Sequence, residues 1–462
     1  MIYNSKKVTR SVFRAYDIRG IINQDLDENS FYSIGLAIAC RMQQLDRQQI
    51  GLARDGRLTS YSLANALKQG LLDSGIDVID LGVVATPVMY YAIHTQDFDS
   101  GLIVTGSHNP ADYNGIKMVL AGKTLAQNDI DLLYDFVTQG TRLIGQGKAS
   151  NLDVLEQYSQ RIISDIKIKR PLKVVVDCGN GVAGPVVPKV LAALGCDVIP
   201  LYCDIDGHFP NHHPDPTVEA NLADLKAAVF SHQADIGLAF DGDADRLGFV
   251  TEEGQMIWPD RLMMFYSREV LSRCPDATIV FDVKCSSHLA EVITAAGGRA
   301  RMCPTGHSIV KAVMREEKAV LAGEMSGHLF FKDRWYGFDD ALYSACRLLE
   351  LISASPLTLS EQFQAIPDSI NTPEIKIAIS DEEKFSFMQR FSKEAEFFEA
   401  RVITIDGLRV EFAKGWGLLR ASNTTPCLVA RFEANDEASL KEIQSLFKQQ
   451  MQLIDQHLPL PF

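Results

Sequence analysis

The sequence predicts an α/β protein: three similar α/β domains with mixed sheets around one cleft, plus a smaller C-terminal α+β domain. Three observations predict it. A unit of strand, acidic turn, helix, glycine and second strand occurs three times along the 462 residues. Each copy runs on to a further apolar strand that ends in an unusual polar loop. From about residue 369 the pattern changes, around Pro367, Asn371 and Pro373. A chain this long exceeds one ordinary core and suggests about three or four domains at ~100–150 residues each.

The elements follow in order. Domain 1, 1–152, opens with Phe13-Arg14-Ala15-Tyr16-Asp17-Ile18-Arg19-Gly20, read as a strand leading to a turn with Asp17 and Arg19 paired on the surface. Its copy of the unit is Ile50–Asp55, a helix 59–73, Gly75 and the strand Val78–Leu81. Domain 2, 153–255, repeats it with Val174–Asp177, a helix near 184–194, Gly195 and Val198–Leu201. Domain 3, 256–368, has Thr278–Asp282, a helix 287–296 and Gly297-Gly298. In each, apolar runs of strand length alternate with helical stretches that a glycine ends, which is a βαβ arrangement. The further strands are Gly101–Val104, Ile236–Phe240 and Ala319–Ala322. They end at Thr105-Gly106-Ser107-His108-Asn109-Pro110, at Asp241-Gly242-Asp243-Ala244-Asp245-Arg246 and at Gly323-Glu324-Met325-Ser326-Gly327-His328. Open α/β sheets bind ligands beyond the carboxyl ends of their strands, so three such loops suggest a single cleft. Domain 4, 369–462, carries a fourth loop, Arg420-Ala421-Ser422-Asn423-Thr424-Thr425-Pro426, and closes with a helix 436–454.

Composition bounds the function. Hydrophobic content of 46% and charged content of 23% are those of a globular protein. A net charge of −14 argues against a nucleic-acid partner bound by bulk electrostatics. No apolar run reaches the ~18 residues that span a bilayer, and the N-terminus lacks the apolar core of a secretory signal. The nine cysteines include no Cys-x-x-Cys pair and read as reduced, buried thiols. A cytoplasmic monomer without nucleic-acid or membrane partner is expected.

Each loop carries its own chemistry. Gly106 lets the backbone turn, which offers Ser107 at a strand tip with His108 beside it and Lys117 ten residues on. A hydroxyl placed so is a nucleophile or a phosphate carrier. Asp241, Asp243 and Asp245 alternate in what reads as an extended segment, so their carboxylates share one side and repel unless a cation sits among them. Such hard oxygen ligands suit Mg²⁺. Glu252 stands where a calcium EF-hand would end, but Arg246 replaces the required glycine and a strand follows, which excludes that loop. Arg420 with the hydroxyls, amide and N–H groups that follow is a dianion-binding set, to which Arg431 could add a second fork. Glu324 and Ser326 suit neighbouring sugar hydroxyls. His328, Lys284 and His307 are further polar groups at strand ends. Taken singly, these segments also read as a solvated acidic turn, a Ser/Thr/Asn turn and a strand-to-turn junction.

Together the loops resemble the α-D-phosphohexomutase family, whose motifs stand in this order, one per domain, over the whole chain. Loops three and four have the form of bacterial phosphomannomutase/phosphoglucomutase. Phosphoglucosamine mutases, the alternative within the family, typically carry Gln in place of Met in the third and a Gly-Thr pair in the fourth. The resemblance implies a phosphoryl group on Ser107 and Mg²⁺ on Asp241, Asp243, Asp245 and the phosphoserine. It implies that Glu324 and Ser326 hold sugar hydroxyls and that Arg420, Ser422, Asn423, Thr424 and Thr425 hold the substrate's distal phosphate. Tyr16, Arg19, Lys117, Arg246, Lys284, His307 and His328 match cleft positions. The implied reaction exchanges mannose or glucose 1-phosphate with the 6-phosphate through a hexose 1,6-bisphosphate, which also reloads Ser107. His108, Lys117 and Arg19 are the candidates for acid and base. A phosphatase using the same phosphoserine and a non-catalytic sugar-phosphate sensor are the rival readings. Domain 4, on one linker, is expected to close over the cleft and exclude water.

Overall fold

The computed structural model describes residues 3–423 and 425–462. The strands of the first domain are β1 (Ile18–Ile21), β2 (Gln49–Arg54), β3 (Asp77–Val83), β4 (Gly101–Val104), β5 (Tyr113–Leu120), β6 (Lys123–Thr124) and β7 (Ala149–Asn151). They form one sheet in the order β1-β5-β4-β2-β3-β7, with β6 on β5. Strands β3, β2 and β4 run parallel, and β5 returns antiparallel to β4. The second domain has β8 (Lys173–Asp177), β9 (Asp197–Leu201), β10 (Ile236–Phe240) and β11 (Leu247–Thr251), in the order β11-β10-β8-β9. The third has β12 (Thr278–Asp282), β13 (Arg299–Cys303), β14 (Leu321–Gly323) and β15 (Leu329–Phe331), in the order β13-β12-β14-β15.

The three sheets share one plan. The first strand of the unit lies in the middle, the second on one side, the third on the other, and an antiparallel strand follows the third. Strand order reverses between the first and third strands, where an open sheet leaves a crevice. The polar loops join the third strand to the antiparallel one, so all three open at that crevice. The helices Ser60–Asp73, Val187–Ala193 and Ser287–Ala295 make the crossovers. The second starts three residues later than its periodicity suggests, with Pro188 in its first turn, where a missing N–H costs nothing. Gly75, Gly195 and Gly297 follow these helices with φ of +84°, +92° and +81°, values that favour glycine.

Domains 1 to 3 are welded by burial. One continuous apolar core runs from Val88, Met89 and Ala92 of the helix Thr86–Thr95 through Val174 and Leu238 to Ile279 and Leu321. The fourth domain has a core of its own. Its strands are β16 (Ile370–Asn371), β17 (Ile375–Ala378), β18 (Arg401–Ile403), β19 (Leu408–Phe412), β20 (Gly415–Ala421) and β21 (Cys427–Ala434), all paired antiparallel. The helices Glu383–Glu394 and Glu437–Ile454 supply Phe391, Phe447 and Met451 to that core. Contact with domain 3 is largely polar. Trp416 and Leu418 meet Val283, the Arg409 guanidinium lies 3.8 Å from the Trp416 ring centre, and it donates to the Val283 and Cys285 carbonyls at 2.7 Å. Among the described residues no helix is long and apolar enough to cross a membrane.

Candidate active site

The loop after β4 sets Ser107 in a left-handed conformation, φ +49°, that a non-glycine residue adopts only at a cost. The turn predicted at Gly106 therefore falls one residue later. Glycine is required at 106 for space instead: an added Cβ would lie 2.5 Å from Cζ of Arg57. Ser107 is 2% exposed. Its Oγ donates to Oδ2 of Asp241 at 2.8 Å and lies 3.1 Å from Nδ1 of His108. Burial, with the Arg246, Arg19 and Lys117 cations nearby, holds His108 well below its ordinary pKa and so neutral.

Asp241, Asp243 and Asp245 converge, each fully buried, with one oxygen from each inside a single 4.8 Å cluster. The route differs from the expected strand alternation. Residues 241–245 form a turn in which Ala244 has φ +60°, and Oδ1 of Asp241 accepts the Asp245 and Arg246 N–H groups at 3.0 Å. A turn folds the carboxylates onto one point, where an extended segment would spread them about 6–7 Å apart. Burial and the two neighbouring carboxylates push Asp241 well above its ordinary value. Lys117, on β5, donates to Oδ2 of Asp243 at 2.6 Å and also pairs with Asp245. Burial disfavours its charge, but those carboxylates outweigh it and hold the ammonium protonated. Burial likewise opposes the Asp243 charge, and Lys117 more than compensates, keeping Asp243 ionised. Oδ1 of Asp243 and Oδ1 of Asp245 are buried without a hydrogen-bond partner among the described residues. Two orphaned carboxylate oxygens beside a third acid fit a small hard cation. Glu252 lies apart, accepting the Ser360 N–H at 3.1 Å, as exclusion of the EF-hand requires.

The third loop joins this cluster directly. Arg246 donates from Nε to Nε2 of His328 at 3.1 Å, and the Leu247 N–H reaches the Gly327 carbonyl at 3.1 Å. His328 lies 3.5 Å from Asp245 and 3.1 Å from Asp339. Its ring stacks at 5.7 Å on His307, and Tyr16 meets His307 edge-on at 5.1 Å. Burial and the Asp17 and Glu324 carboxylates push the Tyr16 hydroxyl up to about 12. Arg19 pairs with Asp17 at 2.8 Å, but the pair is buried rather than on the surface. Glu324 accepts the Gly306 N–H on Oε1 at 2.7 Å, while Oε2 is buried without a partner among the described residues. Burial raises its pKa. Ser326 is half-buried two residues on.

The fourth loop brings Arg420 close to Tyr16 and Lys284. Arg420 donates from Nε to Asp406 at 2.9 Å, and its buried Nη2 has no partner among the described residues. Ser422 and Thr425 share a hydroxyl contact at 2.8 Å, and Asn423 is half-buried beside them. Thr424 lies outside the described residues. Lys284 pairs with Glu374 and stands 3.5 Å from Asp282, and these acids, against the penalty of burial, raise its pKa. Arg431 does not join the loop. Its guanidinium is fully buried on Asp260 at 3.3 Å and on the Lys284 carbonyl, so the expected second fork fastens domain 4 to domain 3.

Several groups at the site carried no signal in the sequence. Asp339 gathers His328, His307 and the Lys311 ammonium, the last at 2.9 Å. Thr86 donates to Asp243 at 2.6 Å. Lys384 donates to the Ser422 and Thr425 carbonyls at 2.6 and 3.0 Å and shapes the fourth loop from behind. The acidic turns of the repeat read in the sequence only as punctuation. Asp55 accepts the Gly106 N–H at 3.0 Å and Asp282 the Met325 N–H at 3.2 Å, so each anchors the neighbouring polar loop. Asp177 instead takes the Gly179 N–H and His212, both at 2.9 Å.

Comparison with known proteins agrees with this architecture. The chain matches the three α/β/α domain models of phosphoglucomutase/phosphomannomutase over residues 10–143, 155–254 and 258–370, and the C-terminal domain model over 374–450. It is 49% identical over 452 residues to phosphomannomutase/phosphoglucomutase of Pseudomonas aeruginosa, covering 98% of each chain. It is 48% identical over 445 residues to phosphoglucomutase of Neisseria meningitidis, covering 96% of each. The crystal structure of a phosphoglucomutase/phosphomannomutase family protein from Burkholderia thailandensis superposes with a TM-score of 0.94 at 46% identity, over 98% of this chain and 100% of that one. With four domain models matched in order along one chain, and three sheets of one plan meeting at a single cluster, this protein belongs to the phosphoglucomutase/phosphomannomutase family, the α-D-phosphohexomutases.

Proposed function

We propose that the chain interconverts the 1-phosphate and 6-phosphate of mannose and glucose, using Ser107 as a phosphoryl carrier and a hexose 1,6-bisphosphate as intermediate, as a monomer in the cytoplasm. One observation carries the reading. The Ser107 hydroxyl sits 2.8 Å from Asp241 at the edge of three buried aspartates and is ringed by Lys117, Arg246 and His108. A hydrolase serine needs no acidic trio beside it, whereas a serine that must carry about −1.5 to −2 of phosphate charge needs cations and metal ligands at that place.

Asp241, Asp243, Asp245 and the phosphoserine would hold Mg²⁺, which when bound lowers the charge on the phosphoryl oxygens. In the forward half-reaction the Ser107 Oγ–P bond breaks as a bond from phosphorus to a sugar hydroxyl oxygen forms, and the hydroxyl proton is passed to the departing Oγ. The bisphosphate turns end for end, and Ser107 takes the other phosphoryl group. Free hexose 1,6-bisphosphate reloads Ser107 in the same way. His108, neutral and 3.1 Å from Oγ, accepts the Ser107 proton on rephosphorylation and returns it on departure. Lys117, paired with Asp243 and Asp245, stands where its ammonium would neutralise charge on the phosphoryl group. Arg19 serves only as a cation, since a guanidinium does not deprotonate in proteins. Glu324 and Ser326 would take sugar hydroxyls, with Tyr16, His307 and His328 lining that side. Arg420, Ser422, Asn423, Thr424 and Thr425, with Lys284, would hold the phosphate that is not reacting.

Intact mass before and after incubation with glucose 1,6-bisphosphate tests the carrier. Wild type gains one phosphoryl group and Ser107→Ala gains none. Equal labelling of both proteins overturns the reading.

A further inference from the structure

Arg57 lies in the turn after β2, beneath the Ser107 loop, and its side chain is 1% exposed. Its guanidinium donates to four main-chain carbonyls of one segment: Ser107 at 2.8 Å, Tyr113 at 3.0 Å, and those of Asn109 and Pro110. Asp55 stands 3.4 Å from its Nε and also takes the Gly106 N–H, so carboxylate and guanidinium grip the loop together. Gly106 leaves the room that the guanidinium fills. Domain 2 covers the other side: the Phe209 ring lies 5.0 Å from Cζ, and a Cβ on Gly207 would lie 2.9 Å from the Arg57 Cα. The segment held this way contains Ser107 at φ +49°, a conformation that persists only where its surroundings impose it.

We propose that Arg57 is a positioning residue for phosphoryl transfer: by gathering the carbonyls of Ser107, Asn109, Pro110 and Tyr113 it fixes the strained loop and so aims the Ser107 Oγ. The proposal rests on the reading of Ser107 as phosphoryl carrier and deepens it. Carbonyl dipoles committed to Arg57 are not free to face the dianion on Ser107. A planar fork serves four acceptors at once, which the single ammonium of lysine cannot do. Oγ then keeps its place between Asp241 and His108 both with and without its phosphoryl group, as a carrier reloaded every turnover requires.

The test follows phosphorylation by glucose 1,6-bisphosphate in wild type, Arg57→Lys and Arg57→Ala, with rapid quenching and intact mass, so that rate and final amount are read separately. Positioning predicts full incorporation, one phosphoryl group per chain, at a rate lowered ~10–100-fold, since a misplacement of about 1 Å costs up to 10² in rate. It also predicts kcat lowered by the same factor, KM for the hexose phosphate within about twofold, and partial recovery of Arg57→Ala by added guanidinium ion. Incorporation that falls in amount while keeping the wild-type rate marks misfolded chains and overturns the proposal. A wild-type rate in either folded variant overturns it too, and Arg57→Lys decides alone if Arg57→Ala does not fold. Wild type that takes up no phosphoryl group sinks the carrier reading itself, and the Arg57 proposal with it.

Discussion

Glu324→Gln separates function from stability at one atom. Gln keeps the shape of Glu and an oxygen for the Gly306 N–H, now 2.7 Å from Oε1. What it loses is the charge on Oε2, which is buried without a partner and is assigned here to a sugar hydroxyl. A hydrogen bond to a charged group contributes about 1.5–3 kcal/mol, so kcat/KM should fall ~10–150-fold. Stability should move the other way. Burial raises the Glu324 pKa. A carboxyl raised in the folded state stabilises fully below its ordinary pKa, and that contribution is lost as pH rises through the raised value. At neutral pH burying Glu324 is therefore a cost that Gln removes. The expected pair is lower kcat/KM in a coupled mutase assay with an equal or higher melting temperature at pH 7.5. Activity within threefold of wild type would show that Oε2 does not meet the substrate. Loss of both activity and melting temperature would show that the charge supports the fold instead.

Three further outcomes are expected. Arg14 of domain 1 pairs with Asp381 of domain 4 at 3.2 Å across the cleft, a partly exposed ion pair of the kind that contributes about 0.2–1 kcal/mol. Arg14→Gln should therefore raise KM for the hexose phosphate ~1.4–5-fold at low salt, with the difference shrinking in 0.5 M NaCl; a salt-independent change would refute closure through this pair. Burial raises Asp340 to about 7 although Tyr158, Tyr343 and Trp335 all donate to it. Its contribution is present below about pH 4 and is lost by about pH 7, on the order of 4 kcal/mol at ~1.4 kcal/mol per unit, so the melting temperature of Asp340→Asn should fall less between pH 5 and 8 than that of wild type. Parallel pH profiles for the two proteins would contradict it. Asp243→Asn removes one of the two orphaned carboxylate oxygens and leaves Lys117 paired with Asp245. It should weaken Mg²⁺ binding at least tenfold in calorimetry, and unchanged binding would place the cation elsewhere.

The sequence disclosed the repeat because burial writes a period into apolar residues, and all three sheets follow one plan as a result. It disclosed the loops because side chains that meet a ligand must be particular side chains. Groups that act on peptide bonds left no such mark. Arg57 and Lys384 both donate to carbonyls, which every residue carries, so the partner segment shows nothing unusual. Asp339 was hidden differently: its partners His307 and Lys311 come from the helix His307–Glu316 and His328 from the third loop, which only the third sheet brings together. The extended reading of residues 241–245 failed because periodicity cannot see a left-handed alanine, and Ala244 turns the chain. Arg431 shows the opposite error, where a cation next to an anion-binding loop belongs to an interdomain joint.

The acidic turn bears on how the three α/β units can be recombined. Asp55 and Asp282 make the same bond to polar loops that share no sequence, because each carboxylate grips a main-chain N–H and is indifferent to the side chains beyond it. The third socket is generic, whereas the first also demands the bare Gly106 that leaves room for Arg57, at the place where the third loop carries Met325. The second unit has spent its carboxylate on Gly179 and His212, and its acidic loop is tied instead through its own Asp241. Loop grafting should therefore succeed in the third unit, fail in the first for any loop without glycine at position 106, and fail in the second, where the loop carries its own fastening.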